Sequence, residues 1–342
     1  MKGLWKYISP FAPDQSGAAA VLYGLGGIVV ICDAGGCAGN ICGFDEPRWF
    51  SGRKSAVFSA GLRDMDAILG RDDRLVAKLC AAAQEIDAAF AAIIGTPVPA
   101  VIGTDYKGLS RMTEKQLAIP VITIDTNGMT RYDKGIIKAY QGMLTAFADR
   151  QAVSVKGVVN VLGAVPLDLM APSGLVQIRP VLKTEGWDTI RLFDTLADYI
   201  HAGEAERNIV ISPAGREAAE WLQRTFGTPW ECRYFGLEAI ARSVPATAGR
   251  ILIVHQQIAA NALRSLIEGE TDAEITTATW FSCQQEDCRA GDVQLHEEDD
   301  FSHLADTNSF DCIIGDAYFK KALPHFQGTY IDFPHFAVSG RE

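Results

Sequence analysis

At 342 residues the chain exceeds one ordinary core and has room for two or three α/β units. Hydrophobic residues make up 48% and charged residues 21%, the mix of a well-buried globular protein. A net charge of −11 argues against nucleic acid and anionic membrane surfaces, which both require basic patches. No apolar run reaches the roughly 18–20 residues of a membrane span. The opening Met1-Lys2-Gly3-Leu4-Trp5-Lys6 lacks a signal-peptide core, so a cytoplasmic location is expected. The eight cysteines are then expected to be reduced, buried or metal-bound rather than disulfide-paired.

Strand-like runs alternate with helical patterns along the whole chain. The apolar segment Ile28–Cys32 predicts a first buried strand, and Ala91–Gly95 and Pro120–Ile124 predict two more. Arg71–Phe90 predicts a helix, with Leu75, Leu79, Ala82, Ile86 and Phe90 on one face. Lys134–Phe147 predicts another. Val158–Leu162, Thr189–Leu192 and Asn208–Ser212 predict a second set of strands, followed by a helix over Gly215–Phe226. Arg250–His255 and Cys312–Gly315 predict strands of a third set. Such alternation implies parallel sheets covered by helices on both faces. Polar or small stretches at Asp149-Arg150-Gln151 and Pro245-Ala246-Thr247-Ala248-Gly249 divide the chain into units 1–150, 151–246 and 247–342.

The first predicted strand runs into Asp33-Ala34-Gly35-Gly36-Cys37-Ala38-Gly39-Asn40-Ile41-Cys42-Gly43. Three cysteines, Cys32, Cys37 and Cys42, fall within eleven residues. Glycines let a backbone fold closely around a bulky inorganic group, and thiolates are the ligands of iron–sulfur clusters. Cys37 lies between glycines, where it is poorly placed for core packing. Cys42 is expected at the start of a helix, which favours the thiolate. Cys32 ends a strand between Ile31 and Asp33; it is a candidate cofactor-binding residue, with core packing the favoured alternative. The spacing is not G-x-G-x-x-G, and no G-x-x-x-x-G-K-S/T loop occurs, so no nucleotide is expected to bind this chain.

These segments, in this order, resemble the nitrogenase component 1-type oxidoreductases over nearly the whole chain. Gly35-Gly36-Cys37 is similar to that family's first cluster-binding loop, and Phe58–Gly70 to the segment that follows it. Ile94-Gly95-Thr96-Pro97 and Ile102-Gly103-Thr104-Asp105 are similar to its cysteine–proline turn and the acidic turn beyond. Pro120–Gly128 is similar to its next strand and loop, and Ile314-Gly315-Asp316 and Asp332-Phe333-Pro334 to its last strand and closing turn. The resemblance implies three Rossmann-like domains. It implies a pair of chains, a homodimer or a heterodimer with a sister chain, sharing a cluster at the interface. It also implies an ATP-dependent iron–sulfur reductase protein that delivers electrons.

The chain departs from the family pattern at several positions. Of three cysteines often found in the first domain, only Cys37 is in place. Pro13-Asp14 stands near the first position and Thr96 at the third. Ile211-Ser212-Pro213 replaces a cofactor-ligating cysteine of the nitrogen-reducing branch, so a molybdenum–iron cofactor is not expected. A 4Fe–4S cluster takes four ligands, usually thiolates. Cys37 and Cys42 from each of two chains form the simplest set, with Asp14 an alternative oxygen ligand or a turn residue before Gly17. Cys283 and Cys288 do not match zinc-ligand spacing and read as spare loop thiols. Cys80 and Cys312 read as core, and Cys232 as a candidate cleft residue. His255, at a strand end, is a possible proton donor or a packed histidine.

The expected protein is an electron-accepting subunit of a nitrogenase-like reductase with an unidentified substrate. Two rivals share the fold: an assembly scaffold for a cluster or cofactor, and a small-molecule binding protein without a cluster.

Overall fold

The computed structural model describes residues 5–50, 55–171 and 173–341. Among them, thirteen strands form three separate sheets, every pairing parallel. The first contains β1 (Ile28–Ile31), β2 (Ala56–Ser59), β3 (Ala91–Ile94) and β4 (Val121–Ile124), in the order β2-β1-β3-β4. The second contains β5 (Val158–Leu162), β6 (Thr189–Arg191), β7 (Arg207–Val210) and β8 (Trp230–Cys232), in the order β6-β5-β7-β8. The third contains β9 (Arg250–Val254), β10 (Glu274–Thr279), β11 (Val293–Gln294), β12 (Cys312–Gly315) and β13 (Thr329–Asp332), in the order β11-β10-β9-β12-β13.

The interior strands are the apolar runs visible in the sequence. β1, β3, β5 and β12 are buried at every position, as strands covered on both faces must be. Five strands were not anticipated. β2, β8, β11 and β13 sit at sheet edges, each with exposed or half-exposed residues and no apolar run. β10 is flanked on one side only by the two-residue β11, so its first residues behave as an edge. The helix expected over Arg71–Phe90 is shorter, Asp72–Glu85, because Ile86 turns into extended backbone on the way to β3.

Asp14–Leu22 forms a helix whose nine residues are all buried. Its small side chains, Gly17 to Ala20, let it lie directly on the helix Tyr132–Phe147. A Cβ on Gly17 would stand 1.8 Å from the Tyr132 carbonyl oxygen. Side chains of all three sheets share one core around this crossing, including Ile94, Leu162, Val210 and Leu252. The crossing brings the start of the Tyr132 helix to the carboxy ends of strands in the second and third sheets.

Candidate functional site

β1 delivers the chain to the carboxy end of the first sheet. There Gly35 adopts φ = 117°, which side-chain-bearing residues rarely do, and turns the chain into the helix Gly36–Asn40. Buried Asp33 fixes this turn. Its carboxylate accepts from the Ala38 amide at 2.8 Å and from the Ser59 hydroxyl at 2.6 Å. The helix continues into a wider turn over Ile41–Asp45. Cys37 and Cys42 both lie on this continuous segment and both are half-buried.

Cys42 is therefore near the end of a helix, not at the start as the sequence suggested. Burial pushes its thiol up, and the carboxylates of Glu46 and Asp33 add to the effect. Burial also pushes the Cys37 thiol up, with Asp33 contributing and the Thr96 hydroxyl opposing. Neither thiol is poised as a thiolate by the chain alone; a bound cation would have to supply that stabilisation.

Cys32 and Asp14 face inward. Cys32 packs in the core of the first sheet beside Val30, Ala60 and Leu75. Burial, then Asp72 and Asp33, push its thiol up to about 12. Asp14 is fully buried and holds the loop after β4. It accepts from the Asn127 amide at 3.0 Å, the Gly128 amide at 2.7 Å and the Thr130 hydroxyl at 2.9 Å. Thr96 donates its hydroxyl to the Cys32 carbonyl at 2.8 Å. Cys80 is half-buried, and exposed Cys232 ends the edge strand β8.

The surface around Cys37 and Cys42 is open. A Cβ on Gly36, Gly39 or Gly43 would meet nothing within 4 Å. Segments following all four strands of the first sheet expose large apolar side chains. Phe44 is 81% exposed after β1, Ile68 74% after β2, Val101 78% after β3 and Met129 75% after β4. Among the described residues, no three His, Cys, Asp or Glu side chains converge as a metal-holding group. Cys37 packs against the shared core, where its glycine neighbours had suggested it would not; a four-thiolate set built on Cys37 and Cys42 would need a second chain to complete it.

A second constellation was only partly visible in the sequence. Its residues, Tyr132, Asp168, Ser212, His255 and His335, are all buried where the three sheets meet. The Tyr132 hydroxyl donates to Asp168 Oδ1 at 2.5 Å, so it accepts from His335 Nε2 at 2.8 Å. The Ser212 hydroxyl donates to Asp168 Oδ2. His335 Nδ1 has no hydrogen-bond partner. The His335 ring stacks on His255 at 4.4 Å, and His255 stacks on Phe333 at 4.0 Å. His255 Nδ1 accepts from the Gln256 amide, so Nε2 carries the hydrogen and donates to the Pro334 carbonyl. Burial, and then His335, hold the His255 pKa well below its ordinary value. Next to Asp168 and Ser212, Leu169 and Ile211 line a cavity of about 100 Å³ that Tyr234 also borders. Sequence reading singled out His255, and named Ser212 only as standing where a branch of the family has a cysteine. It missed Tyr132, Asp168 and His335, whose signals were a helix start, a turn after β5 and the residue after the closing Asp-Phe-Pro.

Comparison with known proteins agrees with this architecture. The model of the nitrogenase component 1 type oxidoreductase family matches residues 14–320. The chain belongs to that family. It is similar in fold to a solved structure of nitrogenase Cp1 at pH 6.5, with a TM-score of 0.75 and 13% identity, covering 100% of this chain and 88% of that one. Nitrogenase Cp1 at pH 5 gives a TM-score of 0.63 and 16% identity over 98% of this chain and 78% of that one. No curated protein sequence matches the chain. Among the described residues, no helix is long and apolar enough to cross a membrane.

Proposed function

We propose that this chain is a component 1-like subunit of a nitrogenase-like reductase, built as units 1–150, 151–246 and 247–342. In this reading it pairs with a second component 1-type chain through the carboxy end of its first sheet. The observation that carries it is that Phe44, Ile68 and Val101 are exposed on the segments that follow β1, β2 and β3, the first of which also carries two half-buried thiols. Exposed apolar groups in such number mark a surface that another protein covers.

Cys37 and Cys42 are the residues that would hold an iron–sulfur cluster, jointly with the same pair on the partner chain. The cluster, when bound, would supply one-electron storage between an ATP-dependent iron–sulfur reductase and the substrate. Asp33 orients the ligand-bearing helix by capping it at Ala38. Glycines at 36, 39 and 43 keep side chains out of the space above. At the domain junction, the chain from His335 through Tyr132 to Asp168 holds protons at defined atoms beside the small cavity bordered by Tyr234. The substrate is unassigned, and the reaction class is reductive.

A second reading, a binding protein or assembly scaffold of the same fold, is favoured by Thr96 and Asp14. Both stand near ligand positions of the family and both are committed to internal hydrogen bonds. Anaerobic purification with iron and sulfide analysis tests the proposal. Equal iron and sulfide on a dimer, with turnover that requires both the reductase protein and ATP, supports it. Iron on a dimer without turnover favours the scaffold. An iron-free monomer beside every candidate partner overturns the proposal.

A further inference from the structure

Away from the first sheet, Cys283 and Cys288 bracket a four-residue loop that follows β10. The sequence suggested spare thiols. In the structure their sulfurs stand 3.2 Å apart. The loop between them is anchored to the third sheet's helix Gln257–Glu268. Buried Gln257 accepts from the Gln284 amide and donates to the Gln284 carbonyl, both at 2.8 Å, and its amide also reaches the Cys288 sulfur at 3.4 Å. Asn261 donates to the Asp287 carbonyl at 3.0 Å. From the second sheet's helix Arg216–Phe226, Arg216 pairs with Glu286 and Asp287. Two helices from different sheets thus hold the loop in the conformation that brings the thiols together.

The separation discriminates between two chemistries. A tetrahedral zinc with Zn–S of about 2.3 Å sets its sulfurs roughly 3.8 Å apart and requires further ligands. Here the sulfurs are closer, and no third His, Cys, Asp or Glu completes a metal group among the described residues. A disulfide needs the sulfurs at about 2.05 Å, a closure of little more than 1 Å. Cys283 also lines an open cleft of about 530 Å³ between the first and third sheets, together with Arg131, Lys134, Ser282 and His296. A small oxidant can reach it there.

We propose that Cys283 and Cys288 are a redox-active dithiol, reversibly oxidised to an intramolecular disulfide by low-molecular-weight disulfides. One cysteine, as thiolate, attacks a sulfur of the small disulfide and expels one thiolate. The second cysteine then loses its proton and displaces the remaining half. Two S–H groups become one S–S bond, and the small disulfide is reduced to two thiols. Burial and the neighbouring Cys288 push the Cys283 thiol up to about 12, so the exchange accelerates with rising pH.

The test is peptide mapping of the folded protein after exposure to oxidised glutathione. The tryptic peptide 265–289 contains these two cysteines and no others. The expected result is loss of two hydrogens from this peptide, with no retained glutathione, reversed by dithiothreitol. Cys283→Ser and Cys288→Ser are each expected to retain one glutathione on the remaining cysteine, because no second thiol resolves the adduct. Two glutathiones on the wild-type peptide would overturn the proposal. So would an unchanged peptide in the folded protein when the unfolded chain is oxidised under the same conditions. Neither readout depends on bound iron or on turnover.

Discussion

Gly135 faces the backbone of Asp14 so closely that a Cβ at this position would stand 1.7 Å from the Asp14 carbonyl oxygen. With Gly17 against Tyr132, this makes the crossing of the two helices a backbone-to-backbone contact at which no side chain fits. Gly135→Ala or Gly17→Ala forces the helices apart in the middle of the shared core. The expected cost is about 3 kcal/mol or more, as for other overpacked sites without a flexible neighbour. Urea unfolding measures it.

Gly39 is the opposite case. It sits within a helix, its φ is not positive, and a Cβ there would meet nothing. Gly39→Ala is expected to stabilise the isolated chain by about 0.5–1 kcal/mol through helix propensity. If a second chain and a cluster occupy this space, the same substitution weakens dimerisation or iron binding. Light scattering and iron analysis on the more stable variant read that outcome. Unchanged association and iron content would remove Gly39 from the proposed interface.

Cys37→Ala is expected to remove most bound iron, whereas Cys80→Ala is not. Cys80 lies on the helix Asp72–Glu85, with its sulfur 3.6 Å from Gln116 Oε1. Its loss is expected to cost about 1 kcal/mol of stability without changing iron per chain. Equal iron in the two variants would contradict the assignment of Cys37.

Tyr132→Phe removes the hydroxyl that lies between Asp168 and His335. Both are buried and each loses a partner. Asp168 keeps the Ser212 hydroxyl while His335 Nε2 is left without its partner, and the expected cost is about 1–3 kcal/mol in denaturant unfolding. A cost below about 0.5 kcal/mol would mean that the network contributes little to the fold.

The pH dependence has a definite sign at His255. Its folded pKa lies well below the ordinary 6.5, so below that pH the unfolded chain binds a proton that the folded one does not. Its stability contribution is complete above pH 6.5 and is lost as pH falls toward the folded value, by up to about 1.4 kcal/mol per unit. Asp198 opposes this: burial and Asp194 raise it from 3.8 to about 6, so it favours the folded state increasingly as pH falls through that interval. Comparing the wild type with His255→Asn between pH 7.5 and 5.5 isolates the histidine. The stability difference is expected to shift in favour of the variant as pH falls; parallel curves would contradict a neutral buried His255.

The sequence alone determined the interior of each sheet. β1, β3, β5, β7, β9 and β12 are enclosed on both faces, and that burial demands continuous apolar runs that can be read locally. The loop Gly35–Gly43 was legible for a similar reason, since a dense mix of glycine and cysteine has few structural uses. Tertiary structure decided the rest. β2, β8, β11 and β13 acquire strand form from a single neighbour, and their half-exposed residues carry no period. The inward turn of Asp14 depended on the loop 127–130, more than a hundred residues away. Tyr132 and His335 are separated by 203 positions, and their hydrogen bond exists only because three sheets converge on one junction. Buried polar groups take partners from whichever elements the packing brings near, and no local pattern encodes that choice.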